Sequence, residues 1–143
     1  MKINIPFQII KLEENSYHIV IKGIINNIDT NILIDTGASK SVFNRSLQEA
    51  IILNETEHKE NSLHSAAVNS EIIDTVNGII KELKIGSLVL KDYKTVFIDL
   101  SHINKLYKEH VDIQIDGLIG SDFLVQYNAI IDYPNKTMKL SVL

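Results

Sequence analysis

The residues Ile32-Leu33-Ile34-Asp35-Thr36-Gly37-Ala38-Ser39 deliver a carboxylate at the point where an apolar run meets a glycine turn. Three β-favouring aliphatic residues read as a buried strand, and an aspartate directly after one sits where desolvation and neighbouring groups can tune its acidity. Thr36 adds a hydroxyl, and Gly37 lets the backbone turn tightly. A carboxylate in this setting suits general acid–base work, taking a proton from water or giving one to a leaving group. The bland reading of Asp-Thr-Gly alone is a loop corner, since Asp and Gly populate ordinary turns; the apolar flanks argue against it. A second approach, Ile72-Ile73-Asp74-Thr75-Val76, has valine where the turn asks for glycine. A β-branched residue resists positive φ, so Asp74 reads as a surface residue of a strand or hairpin.

Continued by Lys40-Ser41-Val42-Phe43, the run from Ile32 to Phe43 resembles the active-site motif of the pepsin and retropepsin aspartic proteases. Ile115-Asp116-Gly117-Leu118-Ile119-Gly120-Ser121-Asp122-Phe123-Leu124 is similar to the second signature of that family, an aliphatic-aliphatic-glycine strand entering a short helix. The resemblance covers residues from about 16 to 143. It implies an all-β, mainly antiparallel, acid-protease-like closed barrel with one or two short helices, and an aspartic endopeptidase activity needing neither cofactor nor metal. The chain of 143 residues is one domain's worth, so residues 1–143 read as a single domain with one catalytic aspartate. A two-carboxylate site then requires a homodimer with the site on its two-fold axis.

What the resemblance implies for individual residues follows its motif. Asp35, Thr36 and Gly37 form the catalytic loop: the Thr36 hydroxyls cross the axis to the partner loop, and the Gly37 carbonyls accept from substrate backbone. Substrate contacts are implied at Gly37, Ala38 and Ile119 and at a flap tip near Ala67-Val68-Asn69-Ser70, within a hairpin over Leu63 to Ile80. Retroviral flap tips are rich in glycine, whereas this one has none before Gly78. Aliphatic walls such as Ile32, Val68, Ile72 and Ile119 suggest a preference for apolar side chains. Ala38 stands where pepsin-like enzymes carry a hydroxyl that can donate to the carboxylate, so activity nearer neutral pH is expected.

The elements that must position this loop are legible from periodicity and turn residues. Ser16 to Ile25 reads as a strand, Asn26-Asn27 as a hairpin turn, and Asp29 to Ile34 as the returning strand. Ser46-Leu47-Gln48-Glu49 has capping-box spacing and predicts a helix through about Leu53, followed by a polar loop over Asn54 to Asn61. Strands are predicted over Ile79 to Ile85 and Leu88 to Leu100, joined at Gly86-Ser87. Ser101 to Gln114 predicts an exposed segment with a helical turn around Ile103 to Tyr107. A short helix over Asp122 to Tyr127 and a final strand, turn and strand over Asn128 to Leu143 complete the chain.

Composition narrows the classes further. A hydrophobic fraction of 45% supplies a core, and no apolar run approaches the roughly 18 residues of a membrane span. The start, Met1 to Phe7, lacks the pattern of a signal peptide, which favours a cytoplasmic location. With no cysteine, thiol catalysis and a cysteine zinc site are excluded. A net charge of −4 without a basic cluster argues against nucleic acid, leaving peptide or protein substrate and a second copy as the expected partners. His58, His64, His102 and His110 fall in polar segments without ligand spacing, and Asp122 and Asp132 near element ends read as caps or solvated groups. Thirteen lysines against one arginine, with abundant Ile and Asn, hint at an AT-rich, bacterial genome. Two alternatives stand beside the peptidase. One is an inactive retropepsin-like peptide-binding or structural dimer. The other is an actin-like kinase or ATPase phosphate loop, since Asp-x-Gly-x-Ser also follows a strand there; those folds need two domains, and this chain is too short for them.

Overall fold

The computed structural model describes residues 1–47 and 75–143. The capping-box helix beyond residue 47, the flap tip and Asp74 lie outside the described residues; the chain is helical at 45–47, where the first described stretch ends.

Strands β1 (Lys2–Pro6), β2 (Gln8–Glu13), β3 (Ser16–Ile25), β4 (Ile28–Ile34) and β5 (Val42–Asn44) lead into the long hairpin β6 (Val76–Ile85) and β7 (Leu88–Ile98). Helix α1 (Ser101–His110), strand β8 (Gly117–Ile119), helix α2 (Ser121–Gln126) and strands β9 (Ile130–Asp132) and β10 (Thr137–Ser141) follow. The order β3-β4-β8-β5-β7-β6 closes on itself through a β3–β6 pairing, Ile24 opposite Lys84 and Ile25 opposite Leu83. The molecule is thus mostly β, a closed six-stranded barrel, as expected. Closure removes the open edges that a sheet of this length otherwise exposes.

The β3–β4 hairpin turns on Asn26 and Asn27, with φ of 48° and 71°. Both are left-handed, as a two-residue turn matched to strand twist requires, and asparagine tolerates that region better than other side chains. Asn26 also fastens the turn to β6: its N–H donates to the Glu82 carbonyl and its Oδ1 accepts from the Glu82 N–H.

Two apolar clusters explain why β4 ends in three consecutive buried residues rather than an alternation. Ile32 and Ile34 point into the larger cluster, with Ile21, Phe43, Ile80, Phe97 and Ile119. Leu33, on the other face, packs in a smaller cluster with Ile10, Val20, Leu118 and Tyr107 of α1. A strand covered on both faces can be apolar at every position. Helix α1 is longer than the single turn expected for that segment. Leu100 and Tyr107, both fully buried, seat it on the barrel while its polar residues face outward.

The first fifteen residues form strands that the sequence reading left unassigned. β1 pairs antiparallel with β10, Lys2 opposite Ser141 through Pro6 opposite Thr137, and β9 lies on the other side of β10. Both neighbours of the C-terminal strand therefore come from its own chain. Ile3, Ile5, Met138 and Leu140 turn inward and join this small sheet to the barrel core.

Gly117 tests the packing of β8. A Cβ there would lie 2.5 Å from Cδ2 of Phe43, whose ring is fully buried. Gly117→Ala should lower stability by about 1–3 kcal/mol, the range for overpacking a tight core. An unchanged urea midpoint would show that Phe43 has room to move.

Candidate active site

Strand β4 presents Asp35 through its pairing with two neighbours. Ile34 lies opposite Ile19 of β3 and beside Ile119 of the parallel strand β8. The ladder continues one step, since the Asp35 N–H donates to the Ile119 carbonyl at 2.9 Å. Beyond it the chain turns: the Ala38 N–H donates to the Asp35 carbonyl at 3.1 Å, and the Gly37 N–H donates to Asp35 Oδ1 at 3.0 Å. The carboxylate is held by its own loop, half-buried, with Thr36 and Gly37 exposed beside it.

Gly37 does not adopt positive φ; among the described residues the only glycine that does is Gly86. The expectation that this turn needs glycine for a left-handed backbone is therefore not met. A Cβ at Gly37 would meet Asp35 Oδ1 at 3.4 Å, about an ordinary van der Waals contact.

Gly120 answers to a stricter demand. A Cβ on it would lie 2.6 Å from the Ala38 carbonyl oxygen and 2.9 Å from that of Lys40. Real Cβ atoms do not approach backbone that closely, so the loop after Asp35 lies against a bare α-carbon. Polar bonds then hold the two segments together. The Ser121 N–H donates to the Ala38 carbonyl at 2.8 Å, and the Gly120 N–H donates to Ser41 Oγ at 2.9 Å. Ser41 Oγ in turn donates to Asp122 Oδ1 at 2.7 Å, and the Ser41 N–H donates to Asp122 Oδ2 at 3.1 Å. Asp122 Oδ1 also accepts the N–H of Phe123 at 2.8 Å in the first turn of α2. Asp122 is thus more than a solvated helix-end group: it ties the loop after Asp35 to the helix behind it. Its charge, after burial, helps push the Tyr93 hydroxyl up to about 12.

Asp116 has a comparable structural task one strand earlier. Its Oδ2 accepts from the Asn31 N–H at 3.0 Å, while its own N–H donates to the Asn31 carbonyl at 2.8 Å. Burial raises its pKa, and the bond from Asn31 works against that rise. The pair sets the start of the β4–β8 alignment that ends at Asp35.

Of the residues expected to touch substrate, the structure gathers Gly37 and Ala38 around Asp35, and the Ala38 methyl also packs against the smaller apolar cluster. Ile119 and Ile32 are fully buried in the larger cluster. Ile119 supports Asp35 from behind through its carbonyl. Ala67, Val68, Asn69 and Ile72 lie outside the described residues. Among the described residues no group of three or more His, Asp or Glu is placed to hold a metal ion, and no helix is long and apolar enough to cross a membrane.

A cleft of about 230 Å³ opens beside the carboxylate, bounded by Asp35, Thr36, Tyr17, His18, Ile131 and Tyr133 among others. His18 enters it because the β3–β4 register that pairs Ile19 with Ile34 places residue 18 across from residue 35. Its Nδ1 lies 2.7 Å from the hydroxyl of Tyr107, whose pKa burial pushes up to about 12. The hydroxyl is the natural donor of this bond, which leaves the ring proton of a neutral imidazole on Nε2. Sequence reasoning passed over His18, Tyr17 and Tyr133 because only register and chain reversal bring them to Asp35.

With this geometry in view, comparison with known proteins becomes specific. A family model described as Aspartyl protease matches residues 21–123, more than half of the chain. The chain belongs to the aspartyl protease family. No curated protein matches it. Among solved structures it is similar to a retropepsin-like aspartic protease from Rickettsia conorii, with 15% identity and a TM-score of 0.56, covering 98% of this chain and 88% of that one. It is also similar to the retroviral protease-like domain of Ddi1 from Leishmania major, with 16% identity and a TM-score of 0.53, covering 87% and 88%. EIAV protease complexed with the inhibitor HBY-793 matches at 18% identity and a TM-score of 0.50, covering 75% and 85%. The fold is retropepsin-like. Asp35 and Gly120 both lie within the matched residues.

The Ser41–Asp122 tie is testable apart from any activity. Asp122→Ala leaves the Ser41 hydroxyl and two N–H groups without their acceptor, so stability should drop by about 1–3 kcal/mol in urea titration. Asp122→Asn, which keeps an acceptor oxygen, should lose less. Equal midpoints for wild type and Asp122→Ala would remove the tie from the account.

Proposed function

We propose that the protein is an aspartic endopeptidase that hydrolyses peptide bonds with a water held between the Asp35 carboxylates of two chains. The observation that carries this reading is the half-buried Asp35 at the end of β4, with Oδ1 engaged by the Gly37 N–H and its exposed loop braced on Gly120. One chain contributes one such carboxylate, so a second copy supplies the other.

The chemistry follows from bringing two carboxylates to about 3 Å from one another, where both cannot ionise and one proton is shared. The ionised member takes a proton from the water as its oxygen attacks the peptide carbonyl carbon. The protonated member hydrogen-bonds and then protonates the carbonyl oxygen as charge develops there. Collapse of the resulting diol breaks the C–N bond: the proton held by the first carboxylate passes to the leaving nitrogen, while the second carboxylate takes a proton back from the diol hydroxyl that becomes the new carbonyl. The dyad ends with one proton, as it began. The loop's Asp35–Gly37 bond and its ties to α2 keep the carboxylate oriented throughout, which is one source of such a site's rate.

The substrate class is peptide or protein. EIAV protease, of similar fold, is complexed with an inhibitor, which supports a ligand-binding site on this fold. Asp35→Asn should abolish cleavage in a peptide-library digest while leaving the thermal transition close to that of wild type. Asparagine keeps the acceptor for Gly37 but cannot act as the base. Persistent cleavage by Asp35→Asn would place the chemistry elsewhere; a wild-type dimer that cleaves no peptide would favour the inactive binding module.

A further inference from the structure

We infer that His18 selects the substrate side chain lying beside Asp35, donating from Nε2 to a neutral amide oxygen such as that of glutamine or asparagine. The inference rests on the peptidase reading and deepens it, naming what the cleft at the candidate site reads in a peptide.

Register places the imidazole. Ile19 of β3 lies opposite Ile34 of β4, so one step along this antiparallel pair residue 18 lies opposite residue 35. Directly opposed residues share a face of the sheet, with Cβ atoms about 5 Å apart. Both line the cleft of about 230 Å³. That volume falls below the roughly 300–1,000 Å³ of a pocket for a drug-sized ligand and suits a single side chain. A group held there for chemistry at Asp35 lies within reach of His18.

Tyr107 decides which ring nitrogen can act. Its side chain is fully buried in the smaller apolar cluster, and its hydroxyl lies 2.7 Å from His18 Nδ1. A hydroxyl so withdrawn from water keeps its proton in a bond, and Nδ1 is the acceptor at hand. Nδ1 is thereby committed to accepting, and a neutral imidazole carries its proton on Nε2. Among the described residues Nε2 meets no partner, and it is not one of the polar atoms sealed from solvent. With Nδ1 turned back toward α1, the ring presents one fixed donor to the cleft.

The other walls set the charge of what that donor meets. No lysine or arginine lines the cleft, and Asp35 is its one carboxylate. A substrate carboxylate would find no cation there and would stand beside the negative charge that the Asp35 pair carries during the reaction. An aliphatic side chain would cover the Nε2–H from water without offering it an acceptor. An amide oxygen avoids both costs, while Tyr17, Ile131 and Tyr133 offer apolar surface to the methylenes that carry it.

The test uses matched peptides carrying Gln, Glu or Met, side chains of similar length, at each position around the cleaved bond in turn. Cleavage by wild type, His18→Leu, His18→Gln and Tyr107→Phe is read as the ratio of kcat/KM within each set. At one position at least, wild type should favour Gln over Met by about tenfold, and Gln over Glu as well. His18→Leu should erase the preference for Gln over Met. His18→Gln, whose carbonyl can accept from Tyr107 while its amide N–H faces the cleft, should keep most of it. Tyr107→Phe, which frees Nδ1 to take the proton, should weaken it. A general loss of packing would lower cleavage of all three peptides together and leave the ratios unchanged. The inference is overturned if no position favours Gln over Met, if Glu is favoured over Gln at that position, or if His18→Leu keeps the wild-type ratios. Binding of the same peptides to Asp35→Asn, with and without His18→Leu, separates this outcome from failure of the peptidase reading. An enzyme that cleaves without the preference keeps the chemistry and loses the assignment of His18. A protein that cleaves nothing, yet binds the Gln peptide about tenfold more tightly than the Met peptide only while His18 is present, keeps the assignment and loses the chemistry.

Discussion

The contact between a bare α-carbon at Gly120 and the carbonyl oxygens of Ala38 and Lys40 is the constraint around which the rest of the site is arranged. At 2.6 and 2.9 Å from a notional Cβ, those oxygens allow no side chain at position 120. The close approach lets Gly120 and Ser121 donate to Ser41 and Ala38, and lets Asp122 reach both donors of Ser41. Any side chain at 120 would push the loop away and stretch every one of these bonds. The loop would still carry an aspartate, but not one held within a few tenths of an ångström, and proton transfer chemistry is sensitive to displacements of that size.

The two-sided burial of β4 transmits this constraint to the barrel. Ile32 and Ile34 are anchored in one cluster and Leu33 in the other, so the strand cannot slide or roll without opening a cavity on one face. Asp116 fixes its start through Asn31, and Ile119 receives the Asp35 N–H at its end. The carboxylate is thus set at the tip of a strand clamped along its length, while its own surroundings stay open. Rigidity behind and exposure in front is the arrangement that a site acting on large substrates requires.

Much of this was legible in the sequence, and for identifiable reasons. The β3–β4 hairpin could be read because Asn26-Asn27 is a strong turn signal between aliphatic runs, and β3 falls at Ser16–Ile25 as expected. The motif positions of Asp35 and Gly120 could be read because each combines an apolar strand with a residue of special backbone or chemistry. The strands before residue 16 went unassigned because β1 is stabilised by β10, at the far end of the chain, and local pattern carries no trace of that partner. Helix α1 was underestimated because its polar face dominates the composition while two buried anchors, Leu100 and Tyr107, hold it. The Ser41–Asp122 tie was read as an ordinary helix-end carboxylate, since nothing in the spacing tells which of many acidic residues will meet a serine 81 positions away. Gly37 does not have the positive φ that the turn was expected to require.

The central claim is that one active site is built from the Asp35 of two chains. Subunit mixing tests it most directly: wild type is equilibrated with increasing amounts of Asp35→Asn at fixed wild-type concentration, and peptide cleavage is measured after exchange. If the site is shared, activity per wild-type chain should fall toward the fraction of wild-type chains in the mixture, because each mixed dimer lacks one of its two carboxylates. Activity that stays constant as the Asp35→Asn chain is added, under conditions where exchange is demonstrated, would mean that each chain works alone and would contradict the account.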